Sequence, residues 1–490
     1  MKLIVNILLF TLLLSLNSFS QQVTVSPVSF NSKNDDFNSN ISNNGKAIFF
    51  TSDRTGGKQK VFYTEDDGGN WKSPKEVVGD INEGKESGAV ALTSDGQFML
   101  FAAFEHESGG FGRTDIYSAE KVNGVWKNVK NLGANVNSDA WDSQPMISND
   151  GTILFFVSDR SGGFGATDIY ISFKTADGWS KAQNAGRSIN TADDEMTPVI
   201  GVDNTNFTFS SNRSGGYGEF DIYVSKYRNN NFDKPVNAGE PINSSADEYY
   251  YYAMPNSDVA YFSSSRKGGS GKLDIYKAVP NPYESDAVFL LNGKVKDSKT
   301  GEPLGANIII TDLNTGDKVA DLKSDDKTGE YYVILQQDRT YSITADRDDY
   351  LFFSERYEVP KYDKGSEQTK DIPLSPIVGG YTRLLIFFDF DKATLKKESI
   401  PELERVANFL RKNKNIKIML EGHTDDVGAA DYNEKLSSNR AAAVKDYLTK
   451  KDIDASRIST IGFGLRRPLM NDKTEEARAT NRRVEMKILE

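Results

Sequence analysis

The sequence predicts a multidomain protein in which an all-β propeller of five four-stranded blades precedes a β-sandwich and a small α/β domain. Three observations predict it: a repeat with a 53-residue period in the first half, short strands between turn residues in the middle, and alternating strands and helices near the end. A chain of 490 residues is too long for one core and should hold about three domains. We expect these domains at residues 21–280, 287–375 and 381–490.

Composition narrows the possible functions. The net charge is −11 and the isoelectric point is near 5.1, so the chain lacks the basic character that nucleic-acid binding requires, and we expect no nucleic-acid partner. There are no cysteines, which excludes disulfides, thiolate metal sites and a lipid-modified N-terminal cysteine. The chain contains only two histidines, His106 and His423, which gives little support to a histidine-based metal site or a histidine-activated nucleophile. We therefore expect no cofactor, no metal and no enzymatic activity.

The N-terminus predicts export. Lys2 precedes an apolar run over residues 3–16, and the small residues Ser18 and Ser20 follow. This arrangement is typical of a secretory signal peptide, here residues 1–20. An uncleaved membrane anchor is the alternative, although the run is short for a span of about 20 residues. We expect an exported protein that is periplasmic and associated with the outer membrane.

The repeat is marked by the tripeptide Asp-Ile-Tyr. Its copies begin at Asp115, Asp168, Asp221 and Asp274. Turns of the form Ser-x-Arg precede three of them and also open an earlier, degenerate copy at Ser52, which makes five copies. Each reads as four short strands, the pattern of a propeller blade. The last copy lacks its fourth strand, and residues 23–30 supply a matching pattern, so we predict that they close the ring and remove two exposed edges.

These repeats resemble the TolB-type, WD-like propeller repeats of envelope proteins. The carboxylates Asp142, Glu195 and Glu248 each stand 18 residues before the arginine of a Ser-x-Arg turn. A glycosidase needs one pair of carboxylates in one cleft, whereas a carboxylate repeated in every blade is better explained as a structural partner of that blade's arginine. Trp141 breaks the pattern, because aspartates occupy the equivalent positions. It is either a surface anchor for a partner or a local packing residue.

The middle segment reads as short strands separated by turns, with predicted strands at residues 289–295, 307–312, 330–335 and 340–345. The segments from Thr300 to Leu304 and from Thr328 to Tyr331 resemble the carboxypeptidase regulatory-like sandwich module. No histidine lies between His106 and His423, so this segment cannot carry carboxypeptidase zinc chemistry. We interpret it as a spacer or adhesion module.

The C-terminal segment alternates strands and helices. Strands are predicted at residues 384–388, 416–420 and 484–489, and helices at residues 400–411, 431–449 and 474–481. This pattern favours a small sheet with both long helices on one face.

The motifs of this segment resemble the OmpA-like peptidoglycan-binding family, which includes MotB and the peptidoglycan-associated lipoproteins. They are Phe387-Phe388-Asp389-Phe390-Asp391, Glu421-Gly422-His423-Thr424-Asp425, Tyr432-Asn433, Arg440-Ala441, Gly462-Phe463-Gly464 and Asn481-Arg482-Arg483-Val484-Glu485. The match covers about 110 residues. One departure is Asp426, where related domains often carry an uncharged residue; we interpret it as an added negative charge.

The resemblance implies the site and its ligand. The ligand is the diaminopimelate of a peptidoglycan stem, whose free end carries one ammonium and one carboxylate. Asp425 would accept from the ammonium and Arg440 would bind the carboxylate. Asn433 and Asp391 would complete the pocket, and Thr424 would orient Asp425. We expect both main residues at the surface, His423 to be a satisfied strand-end histidine, and Arg482 with Arg483 to fix the last strand.

The sequence thus predicts a wall tether or scaffold that holds an outer-membrane-associated complex against peptidoglycan. The domain order resembles OmpA-family envelope proteins of Bacteroidetes, including components tied to type IX secretion and gliding. The propeller's partner is expected to be an unknown outer-membrane or periplasmic protein. The alternative function is a periplasmic propeller hydrolase or carbohydrate-binding protein anchored to the wall.

Overall fold

A computed structural model describes residues 22–42, 45–283, 288–362, 365–389 and 391–489. The predicted signal peptide, residues 1–20, lies outside the described residues, as does part of the segment that joins the first two regions. Among the helices that are described, none is both long and apolar enough to cross a membrane.

Residues 22–280 form five antiparallel sheets and are called here the five-sheet region. A first strand, β1 (Thr24–Pro27), belongs to the fifth sheet. The first sheet contains β2 (Asp36–Ile41), β3 (Ala47–Ser52), β4 (Lys60–Glu65) and β5 (Lys75–Glu76). The second contains β6 (Glu86–Leu92), β7 (Phe98–Phe104), β8 (Asp115–Val122) and β9 (Val125–Asn131). The third contains β10 (Asp142–Ile147), β11 (Ile153–Ser158), β12 (Asp168–Thr175), β13 (Gly178–Trp179) and β14 (Gln183–Asn184). The fourth contains β15 (Glu195–Ile200), β16 (Asn206–Ser211), β17 (Asp221–Arg228), β18 (Asn231–Phe232) and β19 (Val236–Asn237). The fifth adds β20 (Glu248–Ala253), β21 (Ala260–Ser264) and β22 (Asp274–Val279).

Neighbouring sheets contact one another through their first strands. Strand β2 contacts β6, β6 contacts β10, β10 contacts β15, β15 contacts β20, and β20 returns to β2. Each of these strands carries a register shift against its neighbour. At each shift one residue takes a positive φ: Asn38, Ala89, Gln144, Thr197 and Tyr250. A bulge in every first strand increases its local twist where the five strands meet.

The predicted pairing of the N-terminal stretch with the last repeat is confirmed. Strand β1 pairs antiparallel with β22, with Thr24 opposite Val279 and Pro27 opposite Tyr276. Beyond the strand, the Val28 amide donates to the carbonyl of Ile275 at 3.0 Å. The fifth sheet therefore takes its outermost strand from the opposite end of the region.

The interpretation of the repeated arginines as structural is also confirmed. Each pairs with a carboxylate of its own sheet that is 0% exposed, while the arginine side chains are 15–18% exposed. The pairs are Arg54–Asp36, Arg160–Asp142, Arg213–Glu195 and Arg266–Glu248. In the fourth sheet the two side chains are 3.0 Å apart, and Arg213 also donates to the hydroxyl of Ser211 and the carbonyl of Ile189. Burial raises the pKa of Glu195, while hydrogen bonds from the Thr191 amide and from the Thr191 and Ser211 hydroxyls, and then the charge of Arg213, favour its charged form.

Two further sheets make up the middle region. One joins β23 (Phe289–Asp297), β26 (Glu330–Leu335), β29 (Ser366–Thr369) and β30 (Ile372–Leu374). The other joins β24 (Asn307–Asp312), β25 (Lys318–Lys323), β27 (Arg339–Asp346) and β28 (Phe353–Val359). Side chains from both sheets, such as Phe289 and Ile343, share one buried core. The four predicted strands are present, while β25, β28, β29 and β30 were not predicted.

The C-terminal domain is a four-stranded sheet with three helices, in agreement with the predicted α/β class. Its elements are β31 (Tyr381–Leu384), α1 (Ile400–Lys412), β32 (Lys417–Gly422), α2 (Ala430–Lys450), β33 (Ile458–Gly462), α3 (Glu475–Asn481) and β34 (Val484–Leu489). The strand order is β31-β34-β32-β33, with only β32 and β33 parallel. Leu410 of α1, Val444 of α2 and Leu420 of β32 share one core.

Two expectations for this domain were wrong in detail. The opening strand was expected at residues 384–388, but it spans Tyr381–Leu384. Beyond Leu384 the backbone leaves the sheet, and the Phe387 amide donates to the Ser399 hydroxyl at 2.8 Å. Strand β33 was not predicted. The domain core also includes Leu351 and Phe352, which precede it in the chain, so the middle region packs directly on it.

Removal of β1 should destabilise the five-sheet region. We expect a chain that starts at Asp36 to aggregate, or to melt about 5 °C or more below the full-length protein, because it exposes the edge of β22 and part of the core. Thermal unfolding followed by tryptophan fluorescence measures this. A chain starting at Gln22 is the control and should melt unchanged; equal melting of both chains would contradict the role of β1.

Loss of a repeat arginine should leave a buried unpaired carboxylate. We expect Arg213→Ala to destabilise the protein by about 3 kcal/mol in urea unfolding, since Glu195 is fully buried. The double variant with Glu195→Gln should recover part of this loss. Equal stability of the single variant and the unsubstituted chain would show that the pair is dispensable.

Candidate functional site

The candidate site lies where β32 ends and α2 begins. Two glycines allow the helix to approach the sheet closely. A Cβ atom on Gly422 would lie 2.1 Å from the carbonyl oxygen of Ser437, and one on Gly462 would lie 2.2 Å from the Ser438 hydroxyl. Any larger residue at either position would push α2 away. The glycines therefore place the first turns of α2 beside the loop that follows β32.

Asp425 stands in this loop with a side chain that is 15% exposed. One carboxylate oxygen, Oδ2, accepts from Nη1 of Arg482 at 2.8 Å, and Oδ1 accepts from the Val427 amide at 3.1 Å. Arg482 also donates to Glu475 at 2.6 Å. Arg482 is thus part of the site rather than a pin for the last strand, and the expectation for this residue was wrong.

Arg440 is buried, at 6% exposure, which corrects the expectation that it lies at the surface. Its Nε donates to the carbonyl of Lys392 at 3.1 Å, and its guanidinium carbon lies 5.0 Å from the centre of the Phe388 ring. Within the described part of the chain its two terminal nitrogens have no hydrogen-bond partner. Burial lowers the pKa of Arg440, as does the positive charge of Arg482, while Asp425 and Asp391 act in the opposite direction.

The three remaining predicted residues surround this pair. Asn433 is buried in α2, and its Nδ2 donates to the carbonyl of Val427 at 2.9 Å, which fixes the loop. Asp391 is exposed and accepts from the Tyr432 hydroxyl at 2.8 Å. The expected contact of Thr424 with Asp425 is not formed: the Thr424 hydroxyl is buried and has no partner among the described residues. The neighbouring acid, Asp426, forms an ion pair with Arg478 at 2.7 Å.

His423 is buried at 1% exposure, but it is not satisfied as expected. Neither ring nitrogen has a hydrogen-bond partner among the described residues, although Nε2 lies 3.7 Å from a carboxylate oxygen of Glu485. The ring stacks on Phe463 with a centroid separation of 5.5 Å. Burial, and then the charge of Arg483, lower the pKa of His423 to about 4. The residue is therefore neutral at neutral pH.

Glu421, His423 and Glu485 offer ligand atoms that all lie within 4.8 Å of one another. Guanidinium groups already neutralise both carboxylates, because Arg483 bonds Glu485 at 2.6 Å and Arg467 bonds Glu421 at 3.3 Å. These ion pairs stabilise the end of the sheet, as expected for Arg483. The positive charges of the two arginines would also oppose the binding of a metal cation there.

The structure brings four of the five predicted residues, Asp391, Asp425, Asn433 and Arg440, to one loop cluster, with the buried Thr424 adjoining it. Sequence reasoning missed the roles of Arg482 and Tyr432. Both belong to motifs that had been recognised, but Arg482 lies 57 residues after Asp425, and spacing along the chain does not show which acid it contacts. The arrangement holds the Asp425 carboxylate, whose side chain is 15% exposed, within electrostatic reach of a buried guanidinium whose terminal nitrogens have no hydrogen-bond partner among the described residues.

Acid should destabilise the C-terminal domain through His423. Its pKa is about 6.5 when unfolded and about 4 when folded, so stability is complete above pH 6.5 and is lost as the pH falls toward 4. We expect a loss of roughly 3 kcal/mol over this window. Hydrogen exchange of the β32 amides measures it, corrected for intrinsic rates. His423→Gln should flatten the pH dependence, and an unchanged slope would contradict the assignment.

Part of the C-terminal domain is similar in sequence to a known family. The profile of the OmpA family matches residues 387–482. Outer membrane protein A of Bordetella avium is 50% identical over 103 residues, which are 21% of this chain and 53% of that protein. A peptidoglycan-associated lipoprotein of Pasteurella multocida is 34% identical over 122 residues, 24% of this chain and 81% of that protein.

A solved structure also matches about a fifth of the chain. The cell wall anchor of the type VI secretion system from Pseudomonas aeruginosa is 34% identical, with 21% of this chain and 74% of that one covered and a TM-score of 0.20. The chain spans about half the length, or less, of the first curated relatives that it matches. Those relatives are named as outer membrane proteins and porins. On the lipoprotein match and the family profile, this chain belongs to the OmpA family through its C-terminal domain.

Proposed function

We propose that this protein is a non-enzymatic envelope protein that binds peptidoglycan non-covalently through its C-terminal domain. The observation that carries the proposal is Arg440, a buried guanidinium whose terminal nitrogens have no partner among the described residues, within electrostatic reach of Asp425. A buried cation of this kind is costly unless an anion completes it. A ligand carboxylate would complete it.

The free end of a diaminopimelate side chain fits the two charges. Its carboxylate would accept hydrogen bonds from the two terminal nitrogens of Arg440 in a bidentate contact. Its ammonium would donate to Asp425, whose Oδ1 faces only the Val427 amide while Arg482 holds Oδ2. Arg482 would hold the Asp425 carboxylate through Oδ2 and would leave Oδ1 to accept from the ammonium.

The surrounding charges favour a zwitterion over a simple ion. The Arg440 guanidinium interacts with one positive charge, on Arg482, and two negative charges, on Asp425 and Asp391. Together with Arg440 itself, these groups carry two positive and two negative charges. The cluster is therefore close to neutral, and a ligand with one charge of each sign leaves it so. The buried Thr424 hydroxyl, which lacks a partner in the described chain, offers one further hydrogen bond beside Asp425.

The expected affinity for one stem is modest. Two charge-assisted contacts contribute about 1.5–3 kcal/mol each, close to the entropy that binding costs, which points to a dissociation constant in the micromolar-to-millimolar range. The wall is a polymer held beside the protein, so a high effective concentration makes a weak site an effective tether.

The remaining regions would connect this tether to an outer-membrane-associated complex. We infer that the five sheets are the blades of a TolB-like propeller, supported by the circuit of contacts among their first strands. The middle region would be a carboxypeptidase regulatory-like spacer. A hydrolase is disfavoured because four of the repeated carboxylates are engaged by arginines within their own sheets. An exported protein with this domain order would suit a Bacteroidetes envelope complex such as a type IX secretion or gliding apparatus.

Substitution of the two charged residues should abolish binding to purified sacculi. We expect Asp425→Asn and Arg440→Lys each to reduce co-sedimentation at least tenfold, because each removes one charge-assisted contact or its fork geometry. Co-sedimentation over a range of protein concentrations measures this.

Asp426→Asn is the matched control, since Asp426 is the adjacent acid and pairs with Arg478 outside the cluster. It should bind like the unsubstituted protein. Circular dichroism melting must show that Arg440→Lys, at a buried position, stays folded. Retained binding by folded Asp425→Asn and Arg440→Lys would refute the proposed site.

A further inference from the structure

Three neighbouring sheets of the five-sheet region each expose one aromatic ring at the same position of the repeat. These residues follow one another at 53-residue steps and lie between the second and third strands of their sheets: Phe111, Phe164 and Tyr217. Their exposed fractions are 54%, 37% and 51%, respectively. Trp141, the other aromatic anchor that the sequence offers, is partly buried against the core of the region, which favours local packing for that residue.

Each exposed ring stands on a loop whose backbone is fixed. The amide of the aromatic residue donates to the buried aspartate of the following Asp-Ile-Tyr motif, and the amide of the next glycine donates to the second oxygen of the same carboxylate. The first distance is 2.5–2.6 Å and the second is 3.2–3.4 Å in all three loops, with Asp115, Asp168 and Asp221 as acceptors. A fixed loop loses little conformational entropy when its ring meets a partner.

The three loops lie on the same side of the region. After each loop, a backbone carbonyl accepts from the amide of the acid that opens the next sheet. These pairs are Thr114–Asp142, Thr167–Glu195 and Phe220–Glu248, at 2.9, 3.0 and 2.8 Å. Since the same junction recurs from the second sheet to the fifth, the three rings form a row along one side. We call Phe111, Phe164 and Tyr217 the aromatic row.

The middle ring of the aromatic row is covered by a cation of the chain itself. The guanidinium carbon of Arg187 lies 4.4 Å from the centre of the Phe164 ring, which is the least exposed of the three. Neither outer ring has a cation or a second ring over it among the described residues. In the flanking repeats the position of Arg187 is taken by Ala134 and Glu240. The outer rings therefore lack the cover that the middle ring has.

An exposed acidic residue adjoins the loop of each outer ring. Glu240 follows Gly239, on which a Cβ atom would lie 3.8 Å from the Tyr217 hydroxyl. Asp139 packs its backbone against the first loop, since a Cβ atom on Gly112 would lie 2.9 Å from its carbonyl carbon. Neither acid forms an ion pair or a side-chain hydrogen bond within the part of the chain that the structure describes. Each outer ring thus combines an open face with a nearby negative charge.

We propose that the aromatic row binds a basic segment of a partner protein through arginine side chains. A guanidinium would pack on each outer ring in the way that Arg187 packs on Phe164. The carboxylates of Asp139 and Glu240 would accept its N–H groups. Arginine fits better than lysine, because a guanidinium is planar, is more weakly hydrated than an ammonium and keeps its N–H groups free while it stacks.

The charge of the region supports a cationic partner. Residues 21–280 carry 33 acidic side chains against 24 lysine and arginine side chains, a net charge of −9. A negative surface steers a basic segment toward it. Arg113, two residues after Phe111, is already paired with Asp159 and therefore opposes a cation less. A neutral glycan strand could also stack on exposed rings, but it would gain nothing from this charge. The proposal does not involve the wall-binding cluster, so its test is independent of the proposed function.

The test measures binding of a fluorescent peptide to the full chain by anisotropy at about 0.15 M salt. The probe is a capped eighteen-residue peptide of Arg-Gly-Gly repeats with a neutral label, which reaches about 60 Å when extended and can meet more than one ring. Matched peptides carry lysine or citrulline in place of arginine. We expect saturable binding of the arginine peptide, at least fivefold weaker binding of the lysine peptide and still weaker binding of the citrulline peptide.

The double variant Phe111→Leu and Tyr217→Leu should bind the arginine peptide at least fivefold more weakly, because leucine keeps the apolar bulk and removes the ring face. Phe98→Leu is the matched control and should bind like the unsubstituted chain. Phe98 is also exposed, at 40%, but it begins β7 and so lies at the opposite end of that strand from the Phe111 loop. Unchanged thermal melting shows that the variants are folded.

Four outcomes would overturn the proposal. The first is no binding of the arginine peptide up to about 1 mM. The second is equal binding of the arginine peptide and either matched peptide, which would leave charge or the backbone as the cause. The third is equal binding of the arginine peptide by the double variant and the unsubstituted chain. The fourth is weaker co-sedimentation of the double variant with sacculi while its binding of the arginine peptide is unchanged, which would assign the rings to glycan.

Discussion

The candidate site of the C-terminal domain is organised around the buried guanidinium of Arg440. A guanidinium removed from water loses several kcal/mol of hydration, and only hydrogen bonds and nearby negative charge offset that loss. Arg440 obtains one backbone carbonyl, one aromatic face and two carboxylates at longer range. The close approach of α2 at Gly422 and Gly462 holds the group in place. Since no described residue bonds its terminal nitrogens, we propose that a ligand carboxylate is the missing partner.

The five-sheet region shows what the same chemistry looks like when it is purely structural. There the four buried carboxylates of Asp36, Asp142, Glu195 and Glu248 are each bonded by an arginine of the same sheet, and that arginine also bonds a serine hydroxyl and a carbonyl, as Arg213 does. In such a pair the carboxylate and the arginine are bonded to groups of their own sheet, which leaves few donors or acceptors for a ligand. The candidate site differs, because the terminal nitrogens of Arg440 have no hydrogen-bond partner among the described residues.

Periodicity and local pattern predicted the parts of the fold that depend on neighbours in sequence. The 53-residue period located the repeated strands, and the apolar spacing located α1 and α2 within two residues.

Contacts between distant segments were harder to predict. Three of the arginine–carboxylate pairs were predicted because they recur at a fixed spacing, whereas Asp425–Arg482 occurs once. The burial of Arg440 was missed because an exposed motif was assumed, and exposure depends on the packing of Phe388 and the Lys392 backbone over the helix. Short strands such as β29 and β30 pair in parallel with β23 across more than 70 residues, which no local pattern encodes.

The central claim is that the C-terminal cluster recognises both charges of a zwitterion rather than one. Saturation-transfer NMR of the full chain with a stem peptide ending in diaminopimelate, compared with the same peptide ending in lysine, tests it most directly. The lysine peptide keeps the ammonium and lacks only the carboxylate that Arg440 would bind. The account predicts saturable binding of the diaminopimelate peptide and at least tenfold weaker binding of the lysine peptide. Equal affinity for the two peptides would contradict it.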